Sequence, residues 1–327
     1  MNFDRIARLA AIVLMAVLAL PVHAQPSDLQ RSGLDEVVQR NADIRSEGVR
    51  MSAKLYYAKA LEGHALPTII MSHGWGGTAA MLRAQATAFA AAGYLVIAFD
   101  YRGWGESDSK VILAGPTPEA SQKNGQRFTA EVLELREMVD PLDQAEDIFN
   151  VIHWAMGERM VDGSRIGLWG TSFSGGLVVY VAARDPRVKA LVSQVGYMGQ
   201  PIDRFSAPSL SAAYTSGTAR AHGELGYPAP RAREIGNLQG APIREKFLRY
   251  APVEDVSKIK ACAMLFIVAE NEELFDNKQH AELAYQRAAE PKRYVLIPNI
   301  SHYGIYREAR EQATRLAIQW FDEHLKH

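Results

Sequence analysis

The chain has 327 residues, 48% of them hydrophobic, enough to bury a sizeable core in one large domain or two small ones. Its 36 Lys and Arg against 37 Asp and Glu leave a net charge of -1. No run of like charge stands out, which argues against nucleic acid or an anionic lipid surface as partner.

In MNFDRIARLAAIVLMAVLALPVHAQ, Arg5 and Arg8 precede an apolar run from Leu9 to Leu20, followed by Val22, His23 and Ala24. A basic start, a short apolar stretch and small residues at its end predict a signal peptide at residues 1–24, and hence a periplasmic or secreted mature protein. The run is shorter than the roughly 20 residues that span a bilayer, so no stable membrane insertion is expected after cleavage. Export permits disulfides, but Cys262 is the single cysteine, so no intrachain bridge can form and stability must come from the core.

After the signal, a polar linker is expected to about Asp35. VRMSAKLYYAK reads as an antiparallel strand and LPTIIMSHG as a short buried one. Strands and helices then alternate. AAMLRAQATAFAAAG predicts a helix, YLVIAFD a strand, DPLDQAEDIFNVIHWAMG a helix, SRIGLWG a strand, SGGLVVYVAARD a helix and VKALVSQVG a strand. Repeated units of this kind imply an α/β fold with a mostly parallel central sheet flanked by helices on both faces. The alternation breaks at about 197–259, rich in Pro, Gly, Ser and Tyr, and resumes with ACAMLFIV, NKQHAELAYQRAAE, KRYVLIP and ATRLAIQWFDEHLK. A long insertion in a compact domain is functional or disordered. Its aromatic residues favour a small cap within a single domain spanning 25–327, placed before the strand that would carry the acid. A second irregular stretch, from Ser107 to about Glu131, is expected over the mouth of the same sheet.

Within IGLWGTSFSGG two serines compete as nucleophile. A serine hydroxyl needs a sharp strand-to-helix turn to lift it above the sheet, with small residues two positions either side. The strand ends at Gly170, so Ser172 sits at the tip of the turn while Ser174 already lies in the helix. The bland alternative is an ordinary turn with N-capping serines. HGWGGT, residues 73–78, follows the preceding strand and could present the Trp75 amide beside that of Phe173, two donors converging on an oxyanion. The full phosphate-loop patterns are absent.

Of 9 histidines, His302 lies directly after the last strand, where a side chain reaches the edge of the sheet occupied by Ser172. It is the candidate general base; His73, on the glycine-rich loop, is read as holding that loop in place. The carboxylate that orients the base should follow the strand ACAMLFIV, where AENEELFDN offers Glu270, Glu272, Glu273 and Asp276. Counting from Ala269 selects Glu272, with Glu273 and Asp276 as reserves, and at least one of the cluster is expected to be only a charge at a helix N-terminus.

Taken in order, HGWGGT, FDYRGWGESD, GLWGTSFSGG, VAENEELFDN and ISHYG resemble the α/β-hydrolase superfamily from about Pro67 to the C-terminus. More narrowly, HGWGGT, YRGWGES and the helix DPLDQAEDIFNVIHWAMG are similar to the branch with dienelactone-hydrolase-like, polyketide-processing and X-Pro dipeptidyl-peptidase enzymes. The resemblance implies that Asp100 and Arg102 are bonded inside a structural loop. Two positions depart from the family pattern: Ser174 stands where glycine is usual, and the acid is Glu where Asp is commoner.

The expected activity is a serine hydrolase of the carboxylic ester class acting on a small-molecule acyl substrate, with no metal and no organic cofactor. A peptidase of the X-Pro type or an acyltransferase could use the same machinery. Asp203, Glu224 and Glu234 in the insertion leave open a pocket for a substrate amine. From a different class, a catalytically silent member of the fold would bind a ligand or partner.

Overall fold

A computed structural model describes residues 36–117, 125, 127–233 and 238–326. The signal read at 1–24 and Glu234 lie outside these residues. Among the described residues, no helix is long and apolar enough to cross a membrane.

The chain opens with β1 (Val37–Ser46) and β2 (Val49–Ala58), an antiparallel pair. The second was read from the sequence; the first carries an exposed, polar pattern, VVQRNADIRS, that hides its strand character. Then follow β3 (Leu66–Ser72), helix α1 (Arg83–Ala91) and β4 (Leu95–Phe99). A small excursion holds the hairpin β5 (Lys110–Leu113) with β6 (Val132–Leu135), then the two-residue β7 (Met138–Val139).

Helix α2 (Pro141–Ala155) starts where Asp140 accepts from the amides of Leu142 (3.0 Å) and Asp143 (3.2 Å) and Pro141 takes the first helical position, a side-chain cap and a preset φ reinforcing each other. Strand β8 (Val161–Thr171), helix α3 (Phe173–Ala182) and β9 (Val188–Gln194) follow. The insertion contains α4 (Ala207–Ala221), β10 (Ala241–Pro242), α5 (Arg244–Phe247) and α6 (Pro252–Asp255). The chain closes with β11 (Ala263–Asn271), α7 (Ala281–Arg287), β12 (Lys292–Ser301) and α8 (Arg310–Leu325).

Eight strands form one sheet in the order β1-β2-β4-β3-β8-β9-β11-β12, parallel from β4 onward. Successive strand residues point to opposite faces, and here both faces are apolar. Leu95, Ile97 and Phe99 of β4 join one core with α2, α3 and α7, whereas Val96 and Ala98 join a second with α1 and α8. The sheet is therefore sandwiched, which accounts for the continuous apolar runs of its central strands. The insertion is tied back to the body by β10 pairing with β7, Ala241 opposite Met138.

Candidate active site

Strand β8 ends at Thr171 and α3 begins at Phe173, leaving Ser172 alone at the turn with φ 56° and ψ −124°. A positive φ on a residue with a side chain is strained and persists only where the surroundings impose it. Here close packing imposes it. A Cβ on Gly170 would collide with the Ser174 carbonyl, one on Gly176 with the Tyr197 carbonyl, and one on Gly175 would lie 2.6 Å from Gly196 Cα. Ser172 holds the N-cap position of α3, yet its hydroxyl makes no capping bond. It faces the imidazole of His302 instead, Oγ 3.0 Å from Nε2, so the simple capping reading of these serines does not hold for Ser172.

Ser174 is fully buried and within the helix. Its hydroxyl is hydrogen-bonded to Ser72 Oγ and lies 2.9 Å from Tyr101 OH. A serine where glycine is usual therefore adds a polar tie between β3, the loop after β4 and α3.

His302 lies one residue past β12, and the parallel register of β11 with β12 sets Asn271 opposite Ser301. The next residues, Glu272 and His302, meet: Nδ1 lies 2.9 Å from Oε1 and 2.8 Å from Oε2 of Glu272, with both side chains 2% exposed. Hydrogen bonding to a carboxylate assigns the proton to Nδ1 and leaves the Nε2 lone pair toward Ser172.

The other three carboxylates support the same corner without touching the ring. Glu273 accepts from the His302 amide (2.6 Å), Glu270 from the Asn299 amide (2.7 Å), and Asp276 caps the turn Asn277–Gln279 through the Lys278 amide (2.9 Å). Glu273 and Asp276, the reserves for the acid, are engaged by backbone amides instead of the His302 ring. Their chain positions aim them at backbone amides.

The glycine-rich loop runs beside the nucleophile. A Cβ on Gly74 would lie 2.8 Å from Ser172 Cβ and 2.9 Å from the Thr171 carbonyl, so only glycine permits this approach. Trp75 follows. Its indole donates to the Gly240 carbonyl (2.9 Å) and its ring packs edge-on to Phe173 at 5.7 Å. As the first residue of α3, Phe173 has an amide with no acceptor inside its own helix.

His73 is buried, its Nδ1 3.0 Å from the Gly74 carbonyl and its ring edge-on to Tyr101 at 4.6 Å. Burial lowers its pKa, so it stays neutral in a bracing position. Asp100 accepts from the amides of Ala79 (2.6 Å) and Glu106 (3.0 Å), joining this loop to the one after β4. Buried Arg102 pairs with Asp147 of α2 and with Glu47. These two residues are structural, as the resemblance implies, although Arg102 bonds outside its own loop.

Two cavities open from Ser172 and share Trp75 and Leu238. One, of about 310 Å³, is walled by Phe173, Tyr197, Phe205, Phe247 and Phe275. The other, of about 490 Å³, is lined by His302, Tyr303, Tyr306, Gln85, Arg307 and Arg310. The insertion supplies much of the first wall, while no described residue of 107–131 lines either cavity. Asp203 and Glu224 line neither, and no carboxylate among the described residues does.

Sequence reading missed Tyr306, whose hydroxyl lies 2.8 Å from Thr171 Oγ1 behind the nucleophile. Its signal was present in its place four residues after His302, within the turn His302–Tyr306.

Comparison with known proteins agrees with this fold. The model of the X-Pro dipeptidyl-peptidase (S15) family matches residues 47–203. An Escherichia coli protein, "Uncharacterized 31.7 kDa protein in traX-finO intergenic region", is 29% identical over 287 residues, covering 79% of this chain and 91% of its own. Among solved structures, the α/β hydrolase GrgF from Penicillium sp. sh18 superposes with a TM-score of 0.68 at 19% identity, over 89% of this chain and 100% of its own. A putative dienelactone hydrolase from Klebsiella pneumoniae gives 0.57 at 16%, over 88% and 100%. The chain has the α/β-hydrolase fold and is similar to the branch with the dienelactone hydrolases and X-Pro dipeptidyl-peptidases.

Proposed function

We propose that this protein is a serine hydrolase that cleaves an ester or related acyl bond of a small molecule through an acyl-enzyme on Ser172. The observation that carries the reading is the line of three side chains: Ser172 Oγ at 3.0 Å from His302 Nε2, and His302 Nδ1 at 2.8 Å from Glu272. A hydroxyl, an imidazole with a free lone pair and a buried carboxylate in that order are the parts needed to make serine nucleophilic.

Ser172 Oγ attacks the substrate carbonyl as its proton passes to His302 Nε2, and Glu272 stabilises the imidazolium that forms. The Trp75 and Phe173 amides receive the tetrahedral oxygen, whose negative charge also faces the positive end of α3. Collapse breaks the bond to the leaving group, which takes the proton from Nε2. Water then attacks the acyl carbon as it loses a proton to His302, and that proton passes to Ser172 Oγ as its bond to the acyl carbon breaks and the acid leaves.

The absence of a carboxylate from both cavity linings, among the described residues, disfavours a pocket for a protonated substrate amine and so favours ester over X-Pro peptide. The test is fluorophosphonate labelling of the protein and of Ser172→Ala, read by peptide mass spectrometry beside a series of para-nitrophenyl esters. Label on Ser172 with ester turnover is expected. Neither label nor turnover would bring forward a silent ligand-binding member of the fold. Turnover that rises with added alcohol acceptors would point to acyl transfer. The signal at 1–24 and export remain part of the proposal, checked by the N-terminus of the mature protein.

A further inference from the structure

The two cavities differ in chemistry and in their relation to the base. His302 delivers its proton to the departing atom, so the leaving group must lie on the side where the imidazole forms the wall. His302 lines the larger cavity and is absent from the aromatic one. On the acyl-enzyme reading of Ser172, the aromatic cavity therefore takes the acyl part and the larger one the leaving group.

That larger cavity carries two cations, Arg307 and Arg310, both exposed. Neither guanidinium makes an ion pair or side-chain hydrogen bond with another described residue. Their position is an unfavourable one for a cation. Arg310 opens the 16-residue helix α8 and Arg307 stands just before it, where the helix dipole disfavours positive charge and favours an anion. The neighbouring Glu308 and Glu311 line no part of the cavity. Gln85, 5% exposed, lines the same wall and its Oε1 has no hydrogen-bond partner among the described residues. A buried amide left unpaired is costly unless something else fills the role. Arg244 lines the opposite cavity but is already engaged by another group.

We infer that the natural leaving group is polar and anionic, with a carboxylate or phosphate held by Arg307 and Arg310 and a hydrogen-bond donor that meets Gln85 Oε1. Guanidinium groups match the oxygens of either anion. The hydrolysed product on that side is an anionic alcohol or thiol, released with the proton from His302.

The experiment uses butanoate esters of one acyl chain. One has para-hydroxybenzoate as leaving group, one its methyl ester, and one para-hydroxyphenyl phosphate; phenyl hemiglutarate places the carboxylate on the acyl side instead. Arg307→Gln with Arg310→Gln should lower kcat/KM for the anionic leaving groups by about tenfold, from loss of two charge-assisted contacts, and leave the neutral ester unchanged. Lysine at both positions should restore part of the loss. The carboxylate and phosphate arms show which anion is preferred.

The double variant removes charge that opposes α8, so it should fold as well as the parent. An equal effect on all four esters, no effect on any, or an effect confined to hemiglutarate would overturn the inference. Failure of the parent reading is a separate result: no ester is turned over and Ser172 takes no label.

Discussion

Both carboxylate oxygens of Glu272 lie within 2.9 Å of His302 Nδ1, and both side chains are 2% exposed. The backbone amide of His302 is held by the adjacent Glu273 at 2.6 Å. One glutamate thus sets the ring and its neighbour sets the chain that carries it. Glu272→Gln keeps the shape but presents the wrong hydrogen-bonding pattern to the imidazole, and kcat should fall by about 10³–10⁴. Glu273→Gln can still accept from an amide and should retain kcat within a few-fold. Ester kinetics on the two variants, with thermal melts to show that both fold, decide the point, and comparable losses from both would contradict the division of roles.

Gly74 makes a second prediction, on geometry alone. Alanine there would bring its Cβ to 2.8 Å from Ser172 Cβ and 2.9 Å from the Thr171 carbonyl, closer than carbon and oxygen pack. Either the loop or the elbow must move, and the Trp75 amide moves with the loop. The expected loss in kcat is about 10²–10³, the scale of removing one oxyanion donor, with KM little changed. A variant at parent rates would show that the Trp75 amide has no part in the reaction.

The mostly parallel sheet flanked by helices and the strand-to-helix turn at Ser172 were legible in the sequence because each strand core is a continuous apolar run and the turn is marked by small residues, whereas the strand order was not. Ser172 and His302 could be singled out because both sit at strand ends, where chain order limits which elements can meet. What could not be read was set by tertiary contact. β1 is polar because it is the exposed edge of the sheet, paired only with β2. Glu272 stood among four acids, picked out in the sequence only by counting from Ala269, and it is the register of Asn271 against Ser301 that sets it beside His302. Gln85 comes from a segment distant from Arg307 and Arg310, and the three share a wall only after folding.

Ser174 offers a test of stability apart from activity. Its buried hydroxyl joins Ser72 and Tyr101, and Ser174→Ala leaves those hydroxyls short of a partner in the core. Unfolding in denaturant should show a loss of about 1–3 kcal/mol. Because Ser174 is fully buried and lines neither cavity, kcat should stay within a few-fold. A large fall in kcat with unchanged stability would instead place Ser174 in the chemistry.

His280 predicts how stability varies with pH. Its Nδ1 accepts from the Met198 amide (3.1 Å) while its ring packs against Tyr197 and Phe275, and burial lowers its pKa from 6.5 to about 4. Between those values the unfolded chain binds a proton that the folded chain does not, so stability rises with pH through this window and is lost as pH falls. From pH 7 to about pH 5 the contribution of this group should drop by about 2 kcal/mol. His280→Gln, which can still accept at that position, should flatten this part of the melting profile. An unchanged slope in the variant would assign the acid sensitivity to other groups.

The aromatic cavity predicts acyl selectivity through Ala213. This residue of α4 is 3% exposed and lines the cavity beside Phe205 and Ser209, facing a space of about 310 Å³. Ala213→Phe would fill part of that space. Acyl chains long enough to reach the blocked wall should lose kcat/KM by about tenfold or more, the scale of a few excluded methylenes, while acetyl esters change little. Phe247→Ala acts in the opposite sense: it enlarges the same cavity and should extend the preference to longer chains. The para-nitrophenyl ester series measures both profiles. If both variants shift all chain lengths alike, the acyl group does not occupy this cavity, and the assignment of the second cavity to the leaving group falls with it.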